Sequence, residues 1–120
     1  MSDRPPAVDL SALDRLLDMT GGDVEFLDEL VDTYLEDAPG QLAQMRAAAA
    51  NGAQADLVRP AHSLKSNSAN MGAESLAGMC RVLEAGARDG VADDATAQVE
   101  AIEAEFQQVR RELLTARETR

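Results

Sequence analysis

The chain has 120 residues, of which 45% are hydrophobic and only three aromatic, and its formal net charge is −11. The length suits one domain, and abundant Ala, Leu, Glu, Gln and Arg with so few aromatics predict an all-helical fold. The charge argues against nucleic acid and anionic membrane surfaces as partners, and one cysteine with one histidine can form neither a disulfide nor a zinc site.

The chain begins with a lead of residues 1–7, polar and proline-containing, which we expect to be mobile, and residues 8–118 are predicted to form a single domain. Leucines at helical spacing predict a short first helix near residues 10–17, capped by Asp9 or Ser11 and ended by two glycines at 21–22. A second, long helix covers residues 26–49, with a kink or brief break at Pro39.

The third helix is predicted from about Ala53 to Asn70, closed by Gly72, with a core seam at Leu57, Ala61, Leu64 and Ser68. Pro60 lies inside this stretch, so we expect it to remove one backbone hydrogen bond and bend the helix just before His62. Two more helices follow, over residues 76–87 and 91–114. Their short connections predict antiparallel neighbours, and therefore an antiparallel four-helix bundle with a short additional N-terminal helix.

The only histidine lies on a helical stripe that borders this core seam. The stripe contains Val58, His62, Lys65, Ser66 and Ala69. A neutral imidazole is a competent nucleophile, and a lysine one turn away can pair with phosphoryl oxygens, while small side chains let a second protein approach. The chain has no glycine-rich phosphate loop, so a phosphoryl group would have to come from another protein. The plainer alternative is a surface histidine with no function, because a His-x-x-Lys spacing alone is common.

Three runs of sequence carry a family resemblance, namely residues 61–73 around His62, residues 21–27 and residues 76–84. Together they resemble the histidine-containing phosphotransfer (HPt) domain of two-component phosphorelays. The resemblance implies that His62 is the phosphorylated residue, Lys65 its supporting cation, Ser66 a position that needs a small residue, and Gly72 the glycine that closes the active helix. Ser66, Ala69 and Gly72 are expected to be the small positions at which a partner approaches. It also suggests that Glu84 orients the imidazole, although Glu84 could instead pair with Arg81 or Arg88 at helical spacing.

The function implied is that of a cytoplasmic, monomeric phosphoryl carrier without an ATP site or kinase activity of its own. Its expected partners are response-regulator receiver domains and a hybrid sensor histidine kinase. No cofactor is expected on this chain, since Mg²⁺ would be held by the receiver. The alternative is a non-catalytic helical adaptor on the same scaffold, and a third possibility is the phosphoacceptor domain of a larger kinase.

Overall fold

The protein is described by a computed structural model covering residues 5–118. Within this range there are five α-helices and no strand: α1 (Leu10–Met19), α2 (Val24–Ala50), α3 (Val58–Asn70), α4 (Glu74–Arg88) and α5 (Ala95–Glu118). A 3₁₀ turn, Gln54–Leu57, precedes α3. The all-helical prediction is confirmed. No helix in the described range combines the length and the apolar character that crossing a bilayer requires.

Helices α2 to α5 form the four-helix bundle, and the short α1 packs on α2. Each long helix contributes large side chains that are almost completely buried, including Leu27, Met45, Leu64, Leu76, Leu83, Ile102 and Phe106. On α5, for example, the buried residues recur at spacings of three and four, which are those of a helix with one apolar face: Val99, Ile102, Phe106, Val109 and Leu113. Burying such faces brings the helices together. The predicted antiparallel four-helix bundle with one extra N-terminal helix is therefore confirmed.

Three predicted helix features can be compared with the structure. Helix α2 runs through the exposed Pro39 without the brief break that the sequence allowed, and the alternative, a kink, stays a prediction. Pro60 lies in the first turn of α3, where a backbone N–H would have no partner within the helix. The expected loss of a helical hydrogen bond was therefore wrong, whereas the expected bend before His62 stays a prediction. The last helix begins at Ala95 rather than at Val91, which lies in the exposed connection before α5.

The segment before α1 is fixed to the bundle from Ala7 onward. Ala7 and Val8 are buried, and their backbone N–H groups donate hydrogen bonds of 3.0 and 2.9 Å to the carboxylate of Glu112 on α5. Asp9 then caps α1 through its side chain, as the sequence indicated, and its own N–H donates to the carbonyl of Gly72. Ala7 is thus held in place although it belongs to the lead expected to be mobile, of which residues 1–4 lie outside the described range.

Gly72 closes the turn between α3 and α4 with a positive φ of 78°. A Cβ atom at this position would lie 2.6 Å from the backbone oxygen of Asp9 and 2.9 Å from the Cβ of Ala12. Gly72 is buried at the end of α3 distant from His62, under the start of α1. The interpretation of Gly72 as a position where a partner approaches is therefore wrong; what approaches it closely is this chain's own N-terminal segment.

We predict that Gly72→Ala lowers the free energy of unfolding by about 2 kcal/mol or more, because it combines an unfavourable φ with a clash against backbone. Gly52→Ala is the matched control, since Gly52 also has a positive φ, of 65°, but nothing lies within 4 Å of the added Cβ. Urea unfolding should give a cost of only about 1 kcal/mol for the control. Equal costs for the two variants would contradict the close approach of Asp9.

Candidate functional site

His62 projects from the edge of α3 that faces α4. Its neighbours Ala61 and Leu64 are completely buried in the bundle, and this fixes the rotation of α3 about its axis. One residue beyond Ala61, the imidazole is turned about 100° away from the core face. Its side chain is 55% exposed. The ring is therefore available to another protein while its helix is held by the core.

Glu84 on α4 lies opposite His62, and its carboxylate is the centre of the site. Its side chain is only 7% exposed, because the core residues Leu83 and Ala87 turn this edge of α4 toward α3. The Oε2 atom of Glu84 lies 3.0 Å from Nδ1 of His62, and Oε1 accepts a 2.8 Å hydrogen bond from Nζ of Lys65. The suggested contact between Glu84 and the imidazole is thus present in the structure.

Arg88 binds the same carboxylate from one turn further along α4. Its Nη2 and Nε atoms donate hydrogen bonds of 2.8 and 3.2 Å to Oε2 of Glu84. The sequence offered the pairing of Glu84 with an arginine as an alternative to the histidine contact, but the structure contains both at once. The i, i+4 spacing was the signal for Arg88. Arg81, the other arginine considered, is exposed and has no ion-pair partner among the described residues.

These partners keep Glu84 ionised. The hydrogen bond from Lys65 is the main reason that the pKa of Glu84 is lowered to about 2; burial opposes the shift, and the hydrogen bonds with Arg88 and His62 add to it. A carboxylate so poorly exposed to water would otherwise favour its neutral form. At neutral pH, the side chain next to Nδ1 of His62 is therefore an anion that can only accept a hydrogen bond.

An anionic acceptor at Nδ1 determines which nitrogen of a neutral imidazole carries the proton. Nδ1–H donates to Glu84, so Nε2 keeps its lone pair. No residue in the described range forms a hydrogen bond with Nε2. The arrangement therefore presents an oriented nucleophile at the surface, in the manner of a carboxylate that holds a histidine in one tautomer.

The other predicted site residues of α3 lie near His62. Ser66 and Ala69 are exposed, one and two helical turns beyond His62 on α3. Lys65 is only 28% exposed and is engaged with Glu84 rather than free in solvent. Cys80 is buried, and burial raises the pKa of its thiol to about 12. In the part of the chain that the structure describes, no group of three or more His, Cys, Asp or Glu side chains is arranged to hold a metal ion.

Comparison with known proteins bears on what this site does. The family model for the Hpt domain matches residues 29–112, which include His62, Lys65 and Glu84. The chain belongs to the Hpt domain family. It is also similar to the crystal structure of histidine-containing phosphotransfer protein B (HptB) from Pseudomonas aeruginosa PAO1, with 34% sequence identity, a TM-score of 0.87, and coverage of 98% of this chain and 99% of that one. No curated protein matches the chain.

Membership in the Hpt family gives the chain a histidine phosphotransfer function in a phosphorelay. Proteins of this family carry phosphoryl groups rather than act as kinases, and they interact with receiver domains and kinases. His62 is the only histidine of the chain, and it is the residue that Glu84 contacts.

We predict that Glu84 contributes to stability in a pH-dependent way. Its folded pKa, about 2, is below the ordinary value of 4.5, so its contribution is complete above pH 4.5 and is lost as the pH falls toward 2. Urea unfolding between pH 6 and about pH 3 should show wild type losing stability more steeply than Glu84→Gln. The exposed Glu100→Gln variant is the control and should run parallel to wild type. Parallel profiles for wild type and Glu84→Gln would contradict the ion-pair role.

Proposed function

We propose that His62 is the phosphorylated residue of this chain and that Nε2 is the atom that carries the phosphoryl group. The observation that carries the proposal is the contact of Nδ1 with the buried, ionised Glu84, which in a neutral imidazole leaves the lone pair on Nε2. The similarity to a protein named for histidine-containing phosphotransfer supports it further. Among the candidate roles, the phosphoacceptor is the one that uses each of these features.

The transfer runs from the phosphoaspartate of one receiver domain to the aspartate of another. Nε2 attacks the phosphorus in line, the new N–P bond forms, and the P–O bond to the aspartate breaks, so that the carboxylate leaves. Glu84 stabilises the positive charge that develops on the ring, since it accepts the Nδ1–H hydrogen bond throughout. In the second half of the relay the same bonds form and break in the reverse order on the next receiver.

Lys65 supplies positive charge next to the transferred group. It lies one helical turn from His62 on the same stripe, and its ammonium group, now on Glu84, is on a flexible side chain that can reach phosphoryl oxygens. Ser66 and Ala69 allow the receiver to approach the ring closely. Glu84 acts through the imidazole, so it is a positioning residue rather than one that touches the phosphoryl group.

The chain is proposed to act as a carrier with no ATP site of its own and no resident cofactor. Mg²⁺ would be bound by the receiver domain, which also supplies the phosphoryl aspartate. The proposed partners are response-regulator receivers together with a hybrid sensor kinase, and the proposed setting is a monomer in the cytoplasm. The core of large apolar side chains that this bundle buries by itself supports the monomer.

The decisive experiment is phosphotransfer from a panel of phosphorylated receiver domains, followed by chemical analysis of the labelled chain. Wild type should acquire label that is acid-labile and base-stable, whereas His62→Gln should acquire none. Circular dichroism should give the same helicity for both proteins, because the His62 side chain lies outside the core. Label on wild type that persists in His62→Gln would contradict the assignment. Absence of label from every receiver, with partner binding retained, would favour the adaptor alternative.

The same assay tests the supporting role of Lys65. Lys65→Ala should still be labelled on His62, but transfer should be slower by about tenfold, a magnitude typical of groups that position or neutralise a reacting centre. Transfer and phosphohistidine lifetime that both match wild type would remove Lys65 from the mechanism.

A further inference from the structure

The charge of this protein is unevenly distributed. The two helices that carry the site, α3 and α4, have a net positive charge, whereas the chain as a whole is negative. The chain as a whole has a net charge of −11, and α2 alone contains six acidic residues and one basic residue. Residues 58–88, which form the α3–α4 hairpin, contain four basic residues and two acidic ones. Since the chain has 11 basic residues in all, more than a third of them lie on this hairpin.

The acidic residues of the hairpin do little to cancel this charge near His62. Glu84 is buried and is neutralised by Lys65 and Arg88. Glu74 is at the start of α4, close to the turn at Gly72 and therefore at the other end of the hairpin from His62. Asp56 and Asp89 lie just outside the two helices, three residues from Arg59 and one from Arg88, and reduce the positive charge at that end of the hairpin.

Two of the four basic residues, Arg59 and Arg81, form no ion pair within the described part of the protein. Arg59 lies one helical turn before His62 on α3, and Arg81 lies one turn before Glu84 on α4. Both are exposed, and neither has an ion-pair partner among the described residues. Because α3 and α4 are antiparallel, these two arginines lie toward opposite ends of the His62–Glu84 pair. We call Arg59 and Arg81 the site rim.

We propose that the site rim is an electrostatic guide that orients an acidic receiver-domain surface onto His62. The inference rests on the proposed function, because it takes the partner to be the surface around a phosphorylated aspartate, which is rich in carboxylate and phosphoryl oxygens. Positive charge at the site with negative charge over the other helices attracts such a surface to one face and repels it from the rest. Arginines that bind nothing within the fold are free to do this.

The test is the second-order rate constant for transfer from a phosphorylated receiver, measured at about 20 mM and about 500 mM salt, where the Debye length differs several-fold. Arg59→Glu with Arg81→Glu should slow transfer by about tenfold at low salt, and most of the loss should disappear at high salt. The matched control is Arg110→Glu with Arg111→Glu, which makes the same charge change at exposed positions on α5. It should remain within about twofold of wild type.

A conservative replacement separates the effect of charge from that of side-chain shape. The variant Arg59→Lys with Arg81→Lys keeps the charge, so its rate constant for transfer should equal that of wild type. Equal slowing by the rim and control variants would overturn the inference, since net charge rather than its placement would then matter. Rim variants that match wild type at low salt would also overturn it, while leaving the proposed function intact. Failure of wild type to be labelled by any receiver would overturn the proposed function, and this inference with it.

Discussion

The site depends on one buried carboxylate. Glu84 is almost removed from water between α3 and α4, where an unpaired charge would be costly, so its ionisation requires the donors that surround it. Lys65, Arg88 and His62 supply them, with hydrogen bonds of 2.8 to 3.2 Å. The contacts with Lys65 and His62 link α4 to α3, and the contact with His62 holds the imidazole in a defined orientation. One group therefore connects the packing of the bundle to the chemistry at its surface.

The fold brings these groups together through the geometry of one helical hairpin. Helices α3 and α4 are joined by a tight turn at residues 71–73, so residues at similar distances on either side of this turn lie opposite each other. His62 is ten residues before Gly72 and Glu84 twelve residues after it. The turn is stabilised in its place because Gly72 accepts a hydrogen bond from the N–H of Asp9 and is covered by the start of α1. A segment distant from His62 thus helps to fix the helix pair that carries it.

Much of this could be predicted from the sequence, because it depends on local patterns. Apolar periodicity located all five helices, and the stripe through His62, Lys65 and Ala69 was sufficient to identify the exposed edge of α3. The partner of Glu84 was harder to predict, since the spacing to Arg88 is a local pattern, whereas the contact with His62 depends on the register of two helices. In the structure Glu84 contacts Arg88 and His62 at once, and neither the local spacing nor the helix register alone indicates this.

The errors have similar physical causes. A helix beginning at residue 53 and a 3₁₀ turn followed by a helix at Val58 have nearly the same apolar spacing, so Pro60 was placed inside a helix rather than in its first turn. The attachment of Ala7 involves Glu112, which is 105 residues away, and no local pattern predicts such a contact. The same is true of Gly72, whose close neighbour is the backbone of Asp9.

The central claim is that Glu84 holds the neutral imidazole with its proton on Nδ1, so that Nε2 is the nucleophile. Nitrogen-15 NMR of the single histidine in mildly alkaline buffer tests this directly, because the two ring nitrogens differ in chemical shift according to which is protonated. Wild type and Glu84→Gln, which keeps an acceptor oxygen, should have the proton on Nδ1, whereas Glu84→Ala should move it toward Nε2. A wild-type ring with its proton on Nε2, unchanged in Glu84→Ala, would contradict the account.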